Sequence, residues 1–206
     1  MTTAFQYVFD NAESISINRR RVTGTTLTRD NTVRSVSRGG QAWRFEVKLP
    51  DGIRWSDARG YIEAVEYLDR TTVGTVQINN PGYNSWFTPY QGTAADPAAI
   101  TAVWTQGSST LTLTGGQATA GFNFRAGDFV QLTGSGSVYS VVSTVAFDSD
   151  TVTLNRPVID STGSGTLITG TSVTWSVICT EFPDWTIFAR DQVSWSGAFV
   201  FYESLV

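Results

Sequence analysis

The chain has 206 residues, of which 16% are charged and 13% aromatic, and its formal net charge is −4. A chain of this length can bury a core without disulfides or metal ions. Its acidic balance argues against sequence-independent nucleic-acid binding, which needs a basic surface. It contains no histidine, which removes the usual catalytic triads and nearly all zinc sites. We therefore expect no catalytic residue, no cofactor and no metal.

The N-terminal sequence Met-Thr-Thr-Ala-Phe-Gln lacks the basic stretch and the apolar core of a signal peptide. No run approaches the roughly 20 apolar residues of a membrane helix. The single cysteine, Cys179, excludes an internal disulfide. These features predict a protein that is made in the cytoplasm and is not inserted in a membrane.

The first third of the chain alternates between apolar and polar residues. Residues 42–49 favour a half-buried antiparallel strand, and 15–22 and 33–38 favour weaker ones. The apolar face of the strand at 42–49 would carry Trp43, Phe45, Val47 and Leu49, and its polar face would carry Arg44, Glu46 and Lys48.

One helix is predicted over residues 56–70, because apolar residues recur there at three- and four-residue spacing. Ser56 is the expected N-cap. The apolar positions are Ala58, Tyr61, Ile62, Val65 and Leu68. A strand with Val76 and Ile78 should follow.

Residues 80–99 hold three prolines without periodicity and are typical of a long ordered loop or linker. Beyond them, glycine-rich turns, including one at 163–165, separate short strands that fit a small barrel or compact sandwich. The predicted strands are 101–105, 109–114, 128–133, 137–145, 150–154 and 166–169.

The last segment again alternates, which predicts strands at 172–180 and 193–202. Such long aromatic strands need long partners, and residues 1–90 offer them. The expected fold class is therefore all-β, mainly antiparallel, with one short α-helix. We expect one β-sandwich domain from residues 1–90 and 171–206, with 91–170 inserted as a small barrel. Two sequential domains are the alternative.

Two groups of residues are candidates for contact with other molecules. Four aromatic residues around the linker would contact a neighbouring protein, stack on a glycan, or fill the seam between domains of the same chain. They are Tyr83, Trp86, Phe87 and Tyr90. Arg19 and Arg21 share one side of a predicted strand. They would either be solvated or salt-bridged, or contact a neighbouring subunit or face a channel.

Three segments together resemble a family of distal-tail or minor tail proteins of tailed bacteriophages. They are RGGQAWRFEV (38–47) with the helix and VGTVQINNPG that follow, FRAGDFVQLTGSGSVYSVVSTVAFDSDTVTLNRPV (124–158), and VSWSGAFVFYE (193–203). The resemblance identifies Gly127, Asp128, Pro157 and Glu203 as markers of the fold.

The resemblance implies a tail-tube-like β-sandwich domain with an inserted barrel of the oligonucleotide/oligosaccharide-binding (OB) type. It implies a non-enzymatic virion protein of the tail tip or baseplate. Such a protein forms a ring, typically a hexamer, that joins the tail tube protein to the baseplate hub or to adhesion proteins. A carbohydrate-binding module for host adhesion is the alternative. If the protein forms such a ring, we expect the strands around 15–22 and 193–202 to contribute to the subunit interface.

Overall fold

The structure is a computed structural model that describes residues 3–19, 23–27, 29, 33–37, 42–68, 70–79 and 87–205. Every strand pair in these ranges is antiparallel. The predicted all-β class is confirmed. The described residues hold two α-helices where one was expected.

The helices are α1 (Ala4–Asp10) and α2 (Trp55–Tyr67). The strands of the first third are β1 (Ser14–Asn18), β2 (Thr23–Leu27), β3 (Val33–Ser37), β4 (Arg44–Lys48), β5 (Ile53–Arg54) and β6 (Gly74–Val76). The middle strands are β7 (Thr101–Trp104), β8 (Thr110–Gly115), β9 (Phe122–Phe124), β10 (Phe129–Leu132), β11 (Val138–Ser140), β12 (Val145–Ala146), β13 (Thr151–Thr153) and β14 (Gly163–Thr169). The last are β15 (Trp175–Glu181), β16 (Trp185–Phe188), β17 (Gln192–Trp195) and β18 (Phe199–Glu203).

Helix α1 was not expected from the sequence. The Thr3 side chain caps it by accepting a hydrogen bond from the Gln6 backbone N–H, at 3.2 Å. Its buried residues, Phe5, Val8 and Phe9, have the three- and four-residue spacing of one helical face. The signal was therefore present, but the helix has only 7 residues.

Helix α2 lies where a helix was expected, but it begins and ends earlier. The N-cap is Arg54, which makes no side-chain capping bond, and Ser56 lies in the first turn. The Ser56 backbone N–H and hydroxyl instead donate to the Asp191 carboxylate at 3.3 and 3.1 Å. The residue that caps α2, Asp191, thus lies in the connection between β16 and β17. The buried face holds Ala58, Ile62 and Val65.

A five-stranded sheet carries the first core, in the order β1-β4-β18-β15-β6. Alternation along β4 is as predicted, since Trp43, Phe45, Val47 and Leu49 are all buried. Each such side chain contributes roughly 1.5–3 kcal/mol to folding. Strand β18 lies between β4 and β15, so neither of its edges is open. Pairing through an edge of β18 is therefore not open to another subunit, and a contribution of 193–202 to a subunit interface stays a prediction.

The β16-β17-β5 sheet continues the five-stranded one. Val47 pairs with Phe199 in the larger sheet, and Ile53 pairs with Val193 in the smaller. The number of residues from Val47 forward to Ile53 equals the number from Phe199 back to Val193. The two sets of strand pairs therefore share one register. Residues 193–202, expected as one strand, form two because the chain bends at 196–198.

The same continuity holds on the other side of β17 and β18. Val177 pairs with Glu203 and Trp185 pairs with Trp195, again with equal steps on the two strands, although the register shifts locally near Cys179. Strand β16 therefore prolongs β15, and β5 prolongs β4. The strand pairs β4–β5, β18–β17 and β15–β16 thus make one three-stranded ribbon. Strand β1 adds to its β4 edge and β6 to its β15 edge, and β16 forms the rest of the β15 edge.

The outer edge of the chain directly after β6 is occupied by a side chain. The Gln6 amide nitrogen donates to the Gln77 carbonyl oxygen, and its oxygen accepts from the Gln77 N–H, both at 2.8 Å. One amide thus replaces the two bonds of a neighbouring strand. Within the described ranges, no strand pairs with the outer edge of β16 or with Ser14–Ile17 of β1.

A six-stranded sheet, β11-β10-β14-β7-β8-β13, carries the second core. Residues 163–165, expected as a turn, begin strand β14 instead. The expected strand 137–145 is two separate strands, β11 and β12, and β9 and β16 were not predicted. The strands β2 and β3 pair with each other.

The two cores meet through residues of the middle segment. Phe129 and Val138 belong to the first core, although their neighbours Val130 and Tyr139 belong to the second. Alternate residues of β10 and β11 thus face different cores, as the two-residue period of a strand requires. The division into domains at residues 90 and 170 stays a prediction.

Candidate interaction site at the junction of the two cores

A buried ion pair joins the two sheets. The Glu203 carboxylate at the end of β18 accepts two hydrogen bonds from the Arg156 guanidinium, both at 2.7 Å. It also accepts the backbone N–H groups of Trp43 and Val138, each at 3.1 Å. The Arg156 and Glu203 side chains are 1% and 0% exposed. We call this contact the Arg156–Glu203 bridge.

The bridge is surrounded by further polar contacts. Arg156 Nη2 and the Trp43 indole N–H both donate to the Val138 carbonyl oxygen, each at 2.8 Å. The guanidinium also lies over the Tyr139 ring, 5.1 Å from its centroid. Since a buried charge is tolerated only with close partners, this arrangement fixes β18 against β11.

A second polar contact crosses the junction nearby. The Gln131 side-chain amide donates to the Thr174 carbonyl oxygen at 2.8 Å and accepts the Thr174 N–H at 2.9 Å. A buried side chain of β10 therefore bonds both backbone groups of the residue before β15. Together with the bridge, it holds the two sheets at more than one point.

The connection into the middle segment is held by Asp128. Its carboxylate accepts the backbone N–H groups of Gln91 and Arg125, at 2.9 and 2.7 Å. Burial raises the pKa of Asp128, while these two hydrogen bonds act in the opposite direction. The adjacent Gly127 has φ of +98°, a conformation that favours glycine. Both residues thus shape a turn.

A groove of about 450 Å³ opens at this junction. Two of the sequence-predicted residues, Arg19 and Phe87, line it together. The remaining lining residues are Ile17, Trp43, Gln91, Ala126, Gly127, Asp128 and Phe129. The groove combines an apolar floor with one cation and one carboxylate.

Arg19 makes its contacts within its own chain. Its guanidinium lies 5.4 Å from the centroid of the Trp43 ring and donates to the Ser140 hydroxyl. It therefore links the end of β1 to β11, even though its side chain is exposed. Arg21, the second predicted interface charge, lies outside the described residues.

The two described aromatic candidates serve packing. Phe87 is half-buried and lies edge-on to Phe129, with ring centroids 6.1 Å apart. Tyr90 lies edge-on to Phe124, and its hydroxyl donates to the Asn123 carbonyl oxygen. Burial raises the pKa of Tyr90. Phe87 thus packs against the first core and Tyr90 against the second. Tyr83 and Trp86 lie outside the described residues.

Tyr90 does not share the groove with Phe87. It lines a separate cleft of about 510 Å³, together with Asp96 and residues at the end of β14. The predicted aromatic group is therefore divided between two surfaces as far as it is described. Sequence reasoning missed Arg156, because its partner Glu203 lies 47 positions away.

No family model matches this chain, and no curated protein matches it either. In the part of the chain that the structure describes, no helix is long and apolar enough to cross a membrane.

Proposed function

We propose that the protein is a non-enzymatic structural component of a bacteriophage tail tip or baseplate. It assembles with copies of itself into a ring, and the ring joins the tail tube to the baseplate hub or to adhesion proteins. One observation carries this proposal: two of the segments that resemble the tail-protein family meet in the Arg156–Glu203 bridge. Glu203 ends one segment, and Arg156 lies near the end of the other.

The bridge suits a connector. A ring that joins two parts of a virion transmits load from one contact to another, so the sheet that holds the ring and the module that binds the next component need a fixed relation. Two buried charges with several hydrogen bonds favour a single arrangement, because every displaced geometry leaves a charge uncompensated. In the proposed arrangement the five-stranded sheet faces sister subunits and residues 91–170 face another tail component.

Ring formation needs no further chemistry. A head-to-tail contact whose rotation closes gives a cyclic oligomer, and pairing of edge strands between subunits covers edges that otherwise aggregate. Among the strands that the structure describes, the ribbon has an unpaired stretch on each side, at β1 and at β16.

The test is the assembly state of the purified chain. Light scattering should give a mass that is a fixed multiple of 22.4 kDa, and negative-stain images should show closed rings. Mixing with a tail tube protein should give co-assembly. A monomer at all concentrations that instead binds oligosaccharides would refute the ring and support the adhesion alternative.

A further inference from the structure

We propose that β16 of one copy pairs, antiparallel, with β1 of the next copy. The inference rests on the proposed ring and names the contact that closes it. The first argument is direction. Since β1 lies on the β4 side of the ribbon and β16 on the β15 side, the two edges face away from each other. Edges that face opposite ways are what a head-to-tail contact uses.

The second argument is the lack of a competing edge on the β15 side. Gln6 holds the edge directly after β6, because its amide bonds both backbone groups of Gln77. An incoming strand must first displace that amide. Strand β16 has no such cover among the described residues, and its Ile187 and Phe188 are 50% and 43% exposed. Exposed apolar side chains on an open edge favour strand addition.

The third argument is charge. Antiparallel pairing with Ile187 opposite Ser16 also brings two pairs of opposite charge to the ends of the strands. Arg190, in the turn after β16, comes near Glu13, which also pairs with Lys48 at 3.5 Å. Asp184 comes near the exposed Arg19. One register thus forms two opposite-charge contacts, one at each end of the strand. Parallel pairing instead brings like charges together at both ends, which is unfavourable. The complementarity points to a second copy of this chain as the occupant.

The turn after β16 holds the strand in place. Ala189, Arg190 and Asp191 all have positive φ, at 38°, 58° and 79°, and non-glycine residues rarely adopt this conformation. Contacts to α2 hold it, because the Asp191 carboxylate accepts two hydrogen bonds from Ser56 and its carbonyl oxygen accepts the Trp55 N–H at 2.8 Å. Such strain is found where the surrounding structure fixes a functional segment. The outer edge of β16 is therefore ordered before another copy binds.

Disulfide trapping tests the contact in the full chain. Ser16→Cys and Ile187→Cys are combined in one chain, in which the native Cys179 is buried. Mild oxidation should give a ladder of multimers on a non-reducing gel. An equal mixture of the two single variants should give dimers and nothing larger. The matched control combines Ser16→Cys with Tyr67→Cys, since Tyr67 is 88% exposed but lies on α2, and it should give no ladder.

Charge reversal is the second measurement. Arg190→Glu should raise the dissociation constant of the assembly about fivefold, because an exposed attraction becomes a repulsion. Adding Glu13→Arg should restore it.

The outcomes separate this inference from the function. Rings without a Ser16–Ile187 ladder, or dimers from Ile187→Cys alone, overturn the β16–β1 contact and leave the proposed ring standing. A wild-type chain that stays monomeric at every concentration overturns the ring itself. A ladder, together with rescue by Glu13→Arg, supports the contact.

Discussion

Replacing Glu203 by glutamine tests the Arg156–Glu203 bridge directly. The change keeps the shape of the side chain but removes its charge, and it turns one acceptor oxygen into a donor. The Arg156 guanidinium, which is 1% exposed, then lies in the interior without its counter-charge. One of the two backbone N–H groups at Glu203 also loses its acceptor.

The expected loss of stability is large. Removing one partner of a buried ion pair costs about 3–5 kcal/mol, because the remaining charge stays buried. A buried N–H without an acceptor costs about 1–3 kcal/mol when it is not rescued by relaxation. The two effects share one site and do not add fully, so we expect the free energy of unfolding to fall by about 4 kcal/mol.

Urea unfolding followed by tryptophan fluorescence measures this change, since Trp43 contacts the bridge through its backbone N–H. The matched control is Glu46→Gln. Glu46 pairs with Arg44 on the surface, where the side chains are 40% and 28% exposed, so its loss should cost less than about 1 kcal/mol. Arg156→Met combined with Glu203→Gln should cost less than the sum of the single changes, because neither then leaves an uncompensated charge.

A result within about 1 kcal/mol of the wild type for Glu203→Gln would refute this reasoning. Additivity of the two single changes in the double variant would do the same, since it would mean that the two groups do not interact.

Further predictions concern three single positions. Gly116→Ala should lower the melting temperature clearly more than Gly107→Ala, because both have positive φ but a Cβ at Gly116 would lie 2.1 Å from the Ala99 carbonyl oxygen; equal shifts would contradict this. Burial raises the pKa of Cys179 to about 12, so the native thiol should react with iodoacetamide at pH 8 about a thousandfold more slowly than the urea-unfolded one. The same shift should lower the free energy of unfolding as pH rises from about 9 to 12, because the unfolded thiol ionises first. Cys179→Ala, which has no thiol, should lack this part of the pH dependence. Equal pH profiles of unfolding for the wild type and Cys179→Ala would exclude the shift. Phe129→Ala should cost about 3–5 kcal/mol in urea unfolding, since this side chain packs against aromatic rings of the first core, and a loss below about 1 kcal/mol would contradict that packing.

Local patterns predicted the parts of the fold that depend on neighbouring residues. Alternation at 42–49 predicted which side chains of β4 are buried, and apolar spacing predicted most of α2, including Ala58, Ile62 and Val65. Both patterns arise because one side of an element faces a core. The same reasoning missed the short α1 and mistook the glycine-rich start of β14 for a turn, since glycine in a strand resembles a break.

Contacts between distant residues could not be predicted in this way. Nothing near Ser56 indicates that Asp191 caps α2 from 135 positions away. The sequence resemblance selected Glu203 as a marker but not its partner, since an arginine and a glutamate separated by many strands carry no local pattern. The role of Arg19 depended in the same way on Ser140, which belongs to another sheet.

The glutamine at position 6 has a consequence for how copies can accumulate. In the proposed ring, Gln6 closes the edge next to β6, and the described residues of the ribbon leave one open docking stretch per side, so copies would add in one dimension and through unlike ends. Such growth stops only when the chain of molecules meets its own beginning. Gln6→Leu would expose the backbone edge beside β6 as a second docking stretch. The closed ring should then give way to branched assemblies, which would be measured as turbidity.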